Sequence, residues 1–586
     1  MSVADHALNY GRIDADILRT MQPPGRAYFA SLALILGGLA LGAYAFSVQW
    51  RLGLGVAGYE HPMLWGIYIT NFVFWVGIAH SGTLISAVLF LFRAKWRTSV
   101  ARASEAMTVF AVMTAGLFPI IHIGRPWFFY WLIPYPNERQ LWVNFQSPLV
   151  WDVFAITTYL TVSAMFLFLG LIPDVAAARD RCTDWRKPIY RALALGWRGS
   201  TRQWIHYGAL YGFFAALATP LVVSVHSVVS WDFAMSILPG WHSTIFAPYF
   251  VAGAIFSGLA MVITLLIPLR KLLGIEQYIT VRHFENLAKL IIVTSLIVGY
   301  AYLTEFFVAW YSGNPFEQGT FYNRMFGEYR LFTWGMLGCN VAVPLLLFFK
   351  RVRTNLAALF TISIFVNIGM WLERFVIIVT SLSHDFDPAN WTGLYEPTWV
   401  EGAITIGSFS LFFLLFLVFI KNFPAVSITE MKEGSAHAEV FDDSLARCLS
   451  KHGFLDRFYD LFLASSPRVR EAFANTDFAH QKKMLADSLS LMTSVSGAPA
   501  DELEELDRVA RRHGKHDLDI SFDLYDLWLE SLMQAVREFD GHFDRDVDRA
   551  WRNTLAEGIE FMESRHERRS LRPGSVADAG DASAGG

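Results

Sequence analysis

From about residue 30 to 420, runs of roughly 20 apolar residues recur between short polar stretches; beyond Asn422 the pattern becomes that of charged, amphipathic helix. Ten runs are long enough to cross a hydrocarbon core, near 27–48, 63–92, 104–123, 149–173, 204–230, 245–268, 286–311, 330–349, 355–383 and 398–420. After them, Leu503, Leu506, Val509 and His513 recur at helical spacing, as do Phe522, Tyr525, Leu529, Leu532 and Val536, and then Phe543, Val547, Trp551, Leu555 and Ile559. The expected fold class is therefore all-α: a polytopic membrane protein of about ten transmembrane helices followed by a helical domain. Its expected divisions are an N-terminal segment over 1–26, a transmembrane domain over 27–421, a linker over 422–442, the helical domain over 443–565 and a polar Gly/Ala/Ser tail over 566–586.

Composition agrees with a membrane chain. Of 586 residues, 54% are hydrophobic and 15% aromatic against 17% charged, too apolar for an ordinary soluble enzyme. Residues 1–26 are polar and no small-residue cleavage site follows a short apolar core, so the first helix is expected to stay in the mature protein. Only Cys182, Cys339 and Cys448 are present, which leaves no disulfide framework, no iron–sulfur ligand set and no CxxCH site for covalent haem.

Basic residues predict the orientation. Arg93, Lys95, Arg97 and Arg102 share one connection; Arg179 to Arg198, Arg270 to Arg282, and Lys350 to Arg353 occupy alternate connections after it. By the positive-inside rule these face the cytoplasm, with both termini and the C-terminal domain on the same side of a bacterial inner membrane.

The ionisable residues inside the spans then fall mostly toward the outer leaflet. His122 and Arg125 end the third span in PIIHIGRPWFFYW, Asp152 opens the fourth in SPLVWDVF, and His226 and Asp232 end the fifth; Glu305, Glu373, Arg374 and Glu401 follow in later spans. The inner half reads as comparatively bare, apart from His80 and His206. A charge at the bilayer centre costs roughly 2.5–3.5 kcal/mol on insertion scales, so several at one depth call for a purpose. Glu373–Arg374 reads equally well as a structural ion pair, His80 as a packing residue beside Gly77, Ser81 and Gly82, and Arg125 as a helix end. His122 and Asp152 are a competent proton-accepting pair. A quinol headgroup, whose two hydroxyls lose protons as electrons leave, fits them, with Trp127, Phe128 and Trp131 as ring walls. A cytochrome b would need a second histidine pair beside His122 and His226, and an ion carrier would need polar groups across the full thickness.

The joined elements HIGRPWFFYWLIPYPN and LWVNFQSPLVWDVFAI resemble the NrfD-like family of polysulfide reductase membrane subunits, and within it the quinol-oxidising membrane subunit of alternative complex III, over roughly residues 20–425. The resemblance implies two four-helix bundles plus flanking helices, quinone bound at the outer side, and electrons passed to a separate iron–sulfur subunit of a membrane respiratory complex. It carries His122 and Asp152 to the quinone site as proton acceptors, and Arg125, His226 and Glu305 more loosely as quinone contacts.

In the C-terminal domain, FYDLFLASSPRVREAF, TDFAHQKKMLADSL and RVARRHGKHDLDI resemble a bacterial single-domain globin or the globin module of a haem sensor. That likeness implies a haem b with His513 as proximal iron ligand, Tyr459 and Gln481 on the distal side and Phe473 against the ring, able to bind a diatomic gas. His480 beside Gln481 offers an imidazole one residue away, and His516 competes with His513. The combined expectation is a quinol oxidoreductase membrane subunit with a cytoplasmic sensing module, in contact with lipid and partner subunits and with no nucleic-acid partner. The alternative is a membrane-tethered haem gas sensor whose NrfD-like half is an anchor without turnover.

Overall fold

In hydrocarbon a segment must satisfy its own backbone N–H and C=O groups, so apolar runs of this length become helices. The computed structural model describes residues 16–19, 21, 24–92, 94–133, 146–199, 201–433, 436–473, 476–491 and 522–544, with short pieces of 547–555. Among them the only regular elements are helices. Ten are long and apolar enough to cross a membrane: Arg26–Leu52, Ile67–Leu91, Thr98–His122, Pro148–Arg181, Arg202–Ala234, Phe246–Leu273, Val281–Tyr311, Arg330–Phe348, Leu356–Leu382 and Trp399–Asn422. They match the ten predicted runs in number and order. The third begins earlier and the fourth ends later than hydropathy suggested, because charged first and last turns are still helical.

Two compact units emerge, one of residues 11–198 and 210–431 and the other made chiefly of residues from 432 onward. Within the first, spans 2, 6 and 9 are the most enclosed and span 1 the least. Spans 2 to 5 pack together, as shown by stacking of Phe166 on Tyr211 and of His80 on Tyr159. Spans 6 to 9 pack likewise, and spans 2 and 6 run against each other. Span 1 lies along span 10. A Cβ on Gly42 would sit 2.6 Å from the Gly407 Cα, so only glycine permits this approach of two backbones.

Local chemistry sets the helix ends. Span 9 starts where the Asn355 side chain accepts from the amides of Ala357 and Ala358, and span 10 where Thr398 and Glu401 form a reciprocal capping box. Glu401 also accepts from the Gly58 amide at 2.9 Å and from the Tyr395 hydroxyl. The last of the predicted outer carboxylates is thus a structural clamp that ties the start of span 10 to the connections before it and after span 1.

In the second unit, Ala436–Leu449, Phe454–Ser465, Pro467–Ala472, Phe478–Leu491 and Phe522–Phe539 surround a core of Phe441, Phe458, Phe462, Leu532, Val536 and Trp551. Tyr525, Leu532 and Val536 are buried on one face of the last of these helices, as their spacing predicts. The amphipathic run from Leu503 to His513 lies outside the described residues. The polar centre of this core is Asp540, which accepts from Arg447 Nε at 2.8 Å, from Arg447 Nη2 at 2.7 Å and from Ser444 Oγ at 2.5 Å. Trp551 Nε1 donates to the same Ser444 oxygen at 2.9 Å.

The Arg447 guanidinium holds the Asp540 carboxyl well below the usual carboxylate range. A carboxylate depressed by folding contributes stability above its unfolded pKa of about 3.9, and that contribution fades as pH falls toward the folded value. Thermal melts of the full chain should show this unit weakening below about pH 4, and Asp540→Asn should flatten that dependence. An unchanged pH slope in the variant would show that other carboxylates carry the acid sensitivity.

Candidate functional site

The third span closes with Leu117–His122, and the chain then turns at Gly124, whose φ of 78° is left-handed and whose missing Cβ makes room for the Leu54 side chain. Beyond it, Pro126–Leu132 forms a short helix of aromatic residues. Trp127 meets Trp50 edge-on at 5.1 Å, and Phe128 stacks on Trp131 at 4.3 Å. Trp127 and Trp131 are about half exposed, at 47% and 55%, as an aromatic belt at a membrane surface would be. Arg125 is exposed at the same end. Residues 134–145 of the paired motif lie outside the described residues.

His122 turns inward. Its ring meets Tyr59 edge-on at 5.5 Å, and its Nδ1 is buried without a hydrogen-bond partner. Tyr59 in turn stacks against Tyr395 and meets Tyr68, whose hydroxyl donates to Gln49. Gln49 completes the wall by donating to the Ile121 carbonyl at 2.8 Å. The histidine is therefore held from behind by span 1 and by the connection after it.

Asp152 is buried in the second turn of span 4, and its carboxyl faces the Asp232 carboxyl at the end of span 5 within hydrogen-bonding reach. The neighbouring Trp151 and Trp231 meet edge-on at 6.0 Å, fixing the two helix ends against each other. Oδ1 of each aspartate is buried, and no protein donor reaches it. Two carboxyl groups hydrogen-bond only when one carries a proton, so the pair can share one. Because spans 3, 4 and 5 alternate in direction, His122, Asp152 and Asp232 share one end of the first bundle. Asp232 was legible as an intramembrane acid, but nothing in the sequence paired it with Asp152.

His226 is not at this end with His122. Six residues before Asp232, about 9 Å deeper at 1.5 Å per residue, its ring lies 4.7 Å from that of His80 and 5.7 Å from Phe250. Both of its nitrogens are buried and unpartnered, whereas His80 Nδ1 bonds the Val76 carbonyl at 2.7 Å. The axial pairing of His122 with His226 that a cytochrome b would need is thus replaced by a His80–His226 contact.

Glu305 belongs to the second bundle. It lines a small cavity with Tyr249, Tyr302, Arg324 and Thr333 rather than joining the side chains around His122. Arg324 is fixed there by bonds to Thr380 Oγ1 and Ser381 Oγ, both at 2.7 Å. Glu373 and Arg374 do pair, at 2.8 Å, with Glu373 also accepting from Tyr302 and Arg374 lying 4.4 Å over the Phe250 ring. As expected, they form an internal ion pair.

The opposite end of the first bundle is not bare. Arg102 contacts Glu105 at 2.9 Å and Asp174 at 3.0 Å, and Arg97 contacts Glu430 at 2.9 Å, all buried. Tyr211 joins the two clusters by donating to Glu105 at 3.1 Å and to Glu430 at 3.2 Å. Read from sequence, these charges were topology signals and linker residues.

In the second unit Tyr459, Phe473 and Gln481 come together. The Tyr459 ring lies 6.2 Å from Phe473, and its hydroxyl is within hydrogen-bonding reach of the Gln481 amide; burial pushes its phenol up to about 12. His480 is exposed, so Gln481 and not its neighbour faces the tyrosine. This apolar cage with two polar tips fits the distal half of a haem pocket. His513 and His516 lie outside the described residues, and no cluster of metal-ligating side chains occurs among the described ones.

Comparison with known proteins agrees with the membrane architecture. A Halobacterium salinarum protein, named as a membrane subunit of dimethyl sulfoxide reductase, is 28% identical over 70% of this chain and 93% of its own length. A selenate reductase subunit of Mesobacillus selenatarsenatis is 20% identical over 68% of this chain and 94% of its own. An Hdr-like menaquinol oxidoreductase integral membrane subunit of Archaeoglobus fulgidus is 21% identical over 44% and 53%. Among solved structures, a Pseudomonas aeruginosa protein described as structurally highly homologous to a human hemoglobin is 36% identical over 22% of this chain and 98% of its own, with a TM-score of 0.21. The model of the polysulphide reductase NrfD family matches residues 55–384, more than half of the chain and nearly all of both bundles. Ten membrane-crossing helices and this match together establish that the chain belongs to the NrfD family of polysulphide reductase membrane subunits.

Proposed function

We propose that the chain is the quinol-binding membrane subunit of an oxidoreductase complex. The observation that carries this reading is the set of buried groups at one end of the first bundle, His122 Nδ1 and the Asp152–Asp232 carboxyl pair, which find no protein partner beyond the proton the two carboxyls share. Buried acceptors without donors are rare in a native fold, and a ligand that brings its own hydroxyls accounts for them. Oxidation of a quinol releases two protons and two electrons. His122 takes one proton and the Asp152–Asp232 pair the other, while the electrons leave to an iron–sulfur subunit docked at that end. A menaquinol oxidoreductase among the relatives supports the substrate class. With basic connections facing the cytoplasm of a bacterial inner membrane, the site opens on the outer side and the protons are released there.

Steady-state oxidation of a short-chain quinol by the assembled complex tests the site. His122→Gln should lower turnover by about 10²-fold, the lower end of what a positioned proton acceptor supplies. A variant as fast as wild type would remove His122 from the chemistry.

For the second unit we propose a haem b pocket, with Tyr459, Phe473 and Gln481 on the distal side and His513 as proximal ligand. Bound there, the haem would supply a site for a diatomic gas. The expected result is a Soret band in the full-length protein, shifted by carbon monoxide after reduction and lost in His513→Ala. A protein without haem would leave this unit as a docking module. The family match favours a working oxidoreductase subunit over a tethered sensor with an idle membrane half.

A further inference from the structure

The fourth span is 34 residues long, or about 51 Å, well beyond the roughly 30 Å hydrocarbon thickness. Its last turns, at the end remote from Asp152, therefore emerge into the headgroup region carrying Arg179 and Arg181. After a turn, the helix Lys187–Leu193 lies against them. This connection is a fixed platform. Tyr190, in that helix, donates to the Asn422 carbonyl at 2.5 Å, and Arg186 donates to the carbonyls of Met21 at 3.0 Å and Lys421 at 3.5 Å, pinning it to the ends of the membrane unit.

Between the span end and this helix is a groove of about 570 Å³ lined by Arg179, Asp180, Asp184, Lys187, Pro188 and Arg191. Its two acids are already engaged, Asp180 with Arg179 at 2.7 Å and Asp184 with Arg186 at 2.8 Å. The surplus charge is Lys187 and Arg191, both exposed and one helical turn apart, so that they project from the same face. On the same connection Trp185, Ile189 and Leu195 expose 70%, 45% and 68% of their surface. A cationic groove thus shares one connection with exposed apolar side chains, Ile189 being on the helix face opposite Lys187 and Arg191, at the level where a membrane span ends.

We propose that this groove binds the phosphodiester headgroup of an anionic phospholipid, with Lys187 and Arg191 on the phosphate and the exposed apolar side chains of the same connection set in the surrounding lipid. Its place where span 4 emerges from the hydrocarbon selects a lipid headgroup over free phosphate. Basic pockets beside membrane spans hold such headgroups, each cation strengthening the attraction severalfold.

The test uses the full-length protein in nanodiscs of phosphatidylcholine containing a titrated fraction of cardiolipin, with retained lipid counted by native mass spectrometry. Wild type should retain cardiolipin, and Lys187→Gln/Arg191→Gln should hold it about 30-fold more weakly. Lys350→Gln/Arg351→Gln, which removes two exposed cations from another connection on the same side, should behave as wild type. Equal retention by the groove variant and wild type, or equal loss in both double variants, would overturn the site. Displacement of the lipid by inorganic phosphate at constant ionic strength would overturn the assignment to lipid.

Discussion

Asp152→Asn should lower quinol-dependent turnover of the assembled complex by about 10²–10⁴-fold, the range by which a positioned proton acceptor acts, while leaving the protein in the membrane. The amide keeps the carboxyl's volume and donates to Asp232, which it faces, so packing of span 4 on span 5 survives. What it removes is the ability to take a proton at that position. Asp232→Asn should be slower than wild type by a smaller factor, because Asp152 remains able to accept, and the double variant should be no worse than Asp152→Asn alone, as expected of residues acting as a unit. The measurement is quinol-driven reduction of an artificial acceptor, normalised to the amount of complex. Full turnover in Asp152→Asn would sink the quinol site. Additive losses in the double variant would separate the two aspartates into independent roles.

The ten spans were legible because each is a long, mainly apolar run, whereas Glu401 read as an intramembrane acid and proves to be half of a local capping box with Thr398. His122 and Asp152 were legible because they sit at the ends of consecutive spans, where topology alone assigns them one side. Pairings across helices were not. Which face of span 5 meets span 4, and which meets span 2, depends on packing that a fully apolar helix does not encode in its periodicity, so Asp232 opposite Asp152 and His226 opposite His80 emerge only in three dimensions. The charge cluster at the other end was hidden for a different reason. Arg97, Arg102, Asp174 and Glu430 lie where hydropathy marks the ends of spans, and charges there read as solvated loop. The span helices continue through Arg102 and Asp174, a separate short helix over Ile428–Glu433 carries Glu430, and packing buries all four. In the second unit, the frame that sets Gln481 rather than His480 toward Tyr459 follows from one turn of helix after Asp477, whose side chain accepts from the amides of Ala479 and His480.

Arg102→Leu should destabilise the membrane unit by about 3–5 kcal/mol, the cost of removing one member of a buried ion pair. The guanidinium is 3% exposed and touches Glu105, Asp174, the Gly170 carbonyl at 2.6 Å and Ser427 Oγ at 3.4 Å. Without it Asp174 keeps only the Thr429 amide and hydroxyl, at 3.2 Å, and Glu105 only the Tyr211 hydroxyl. Two carboxylates would then share a water-poor interior without an ion-pair partner in contact, the nearest remaining cation being Arg97, which is paired with Glu430. That loss is a large part of the roughly 5–15 kcal/mol available to a folded domain, so the variant should reach the membrane in reduced amount and melt early in detergent. Arg102→Lys keeps the charge but cannot fork between two acids and a carbonyl, and should fall between. Neutralising the acids as well, with Glu105→Gln and Asp174→Asn beside Arg102→Leu, should restore much of the stability, because the dominant cost is the unpaired charge rather than the lost attraction. If the triple variant melts like Arg102→Leu, the arginine acts through packing of its side chain between spans 3 and 4 and the ionic account is wrong. If it recovers stability but the complex turns over slowly, the cluster has a second role in moving protons that its structural role conceals.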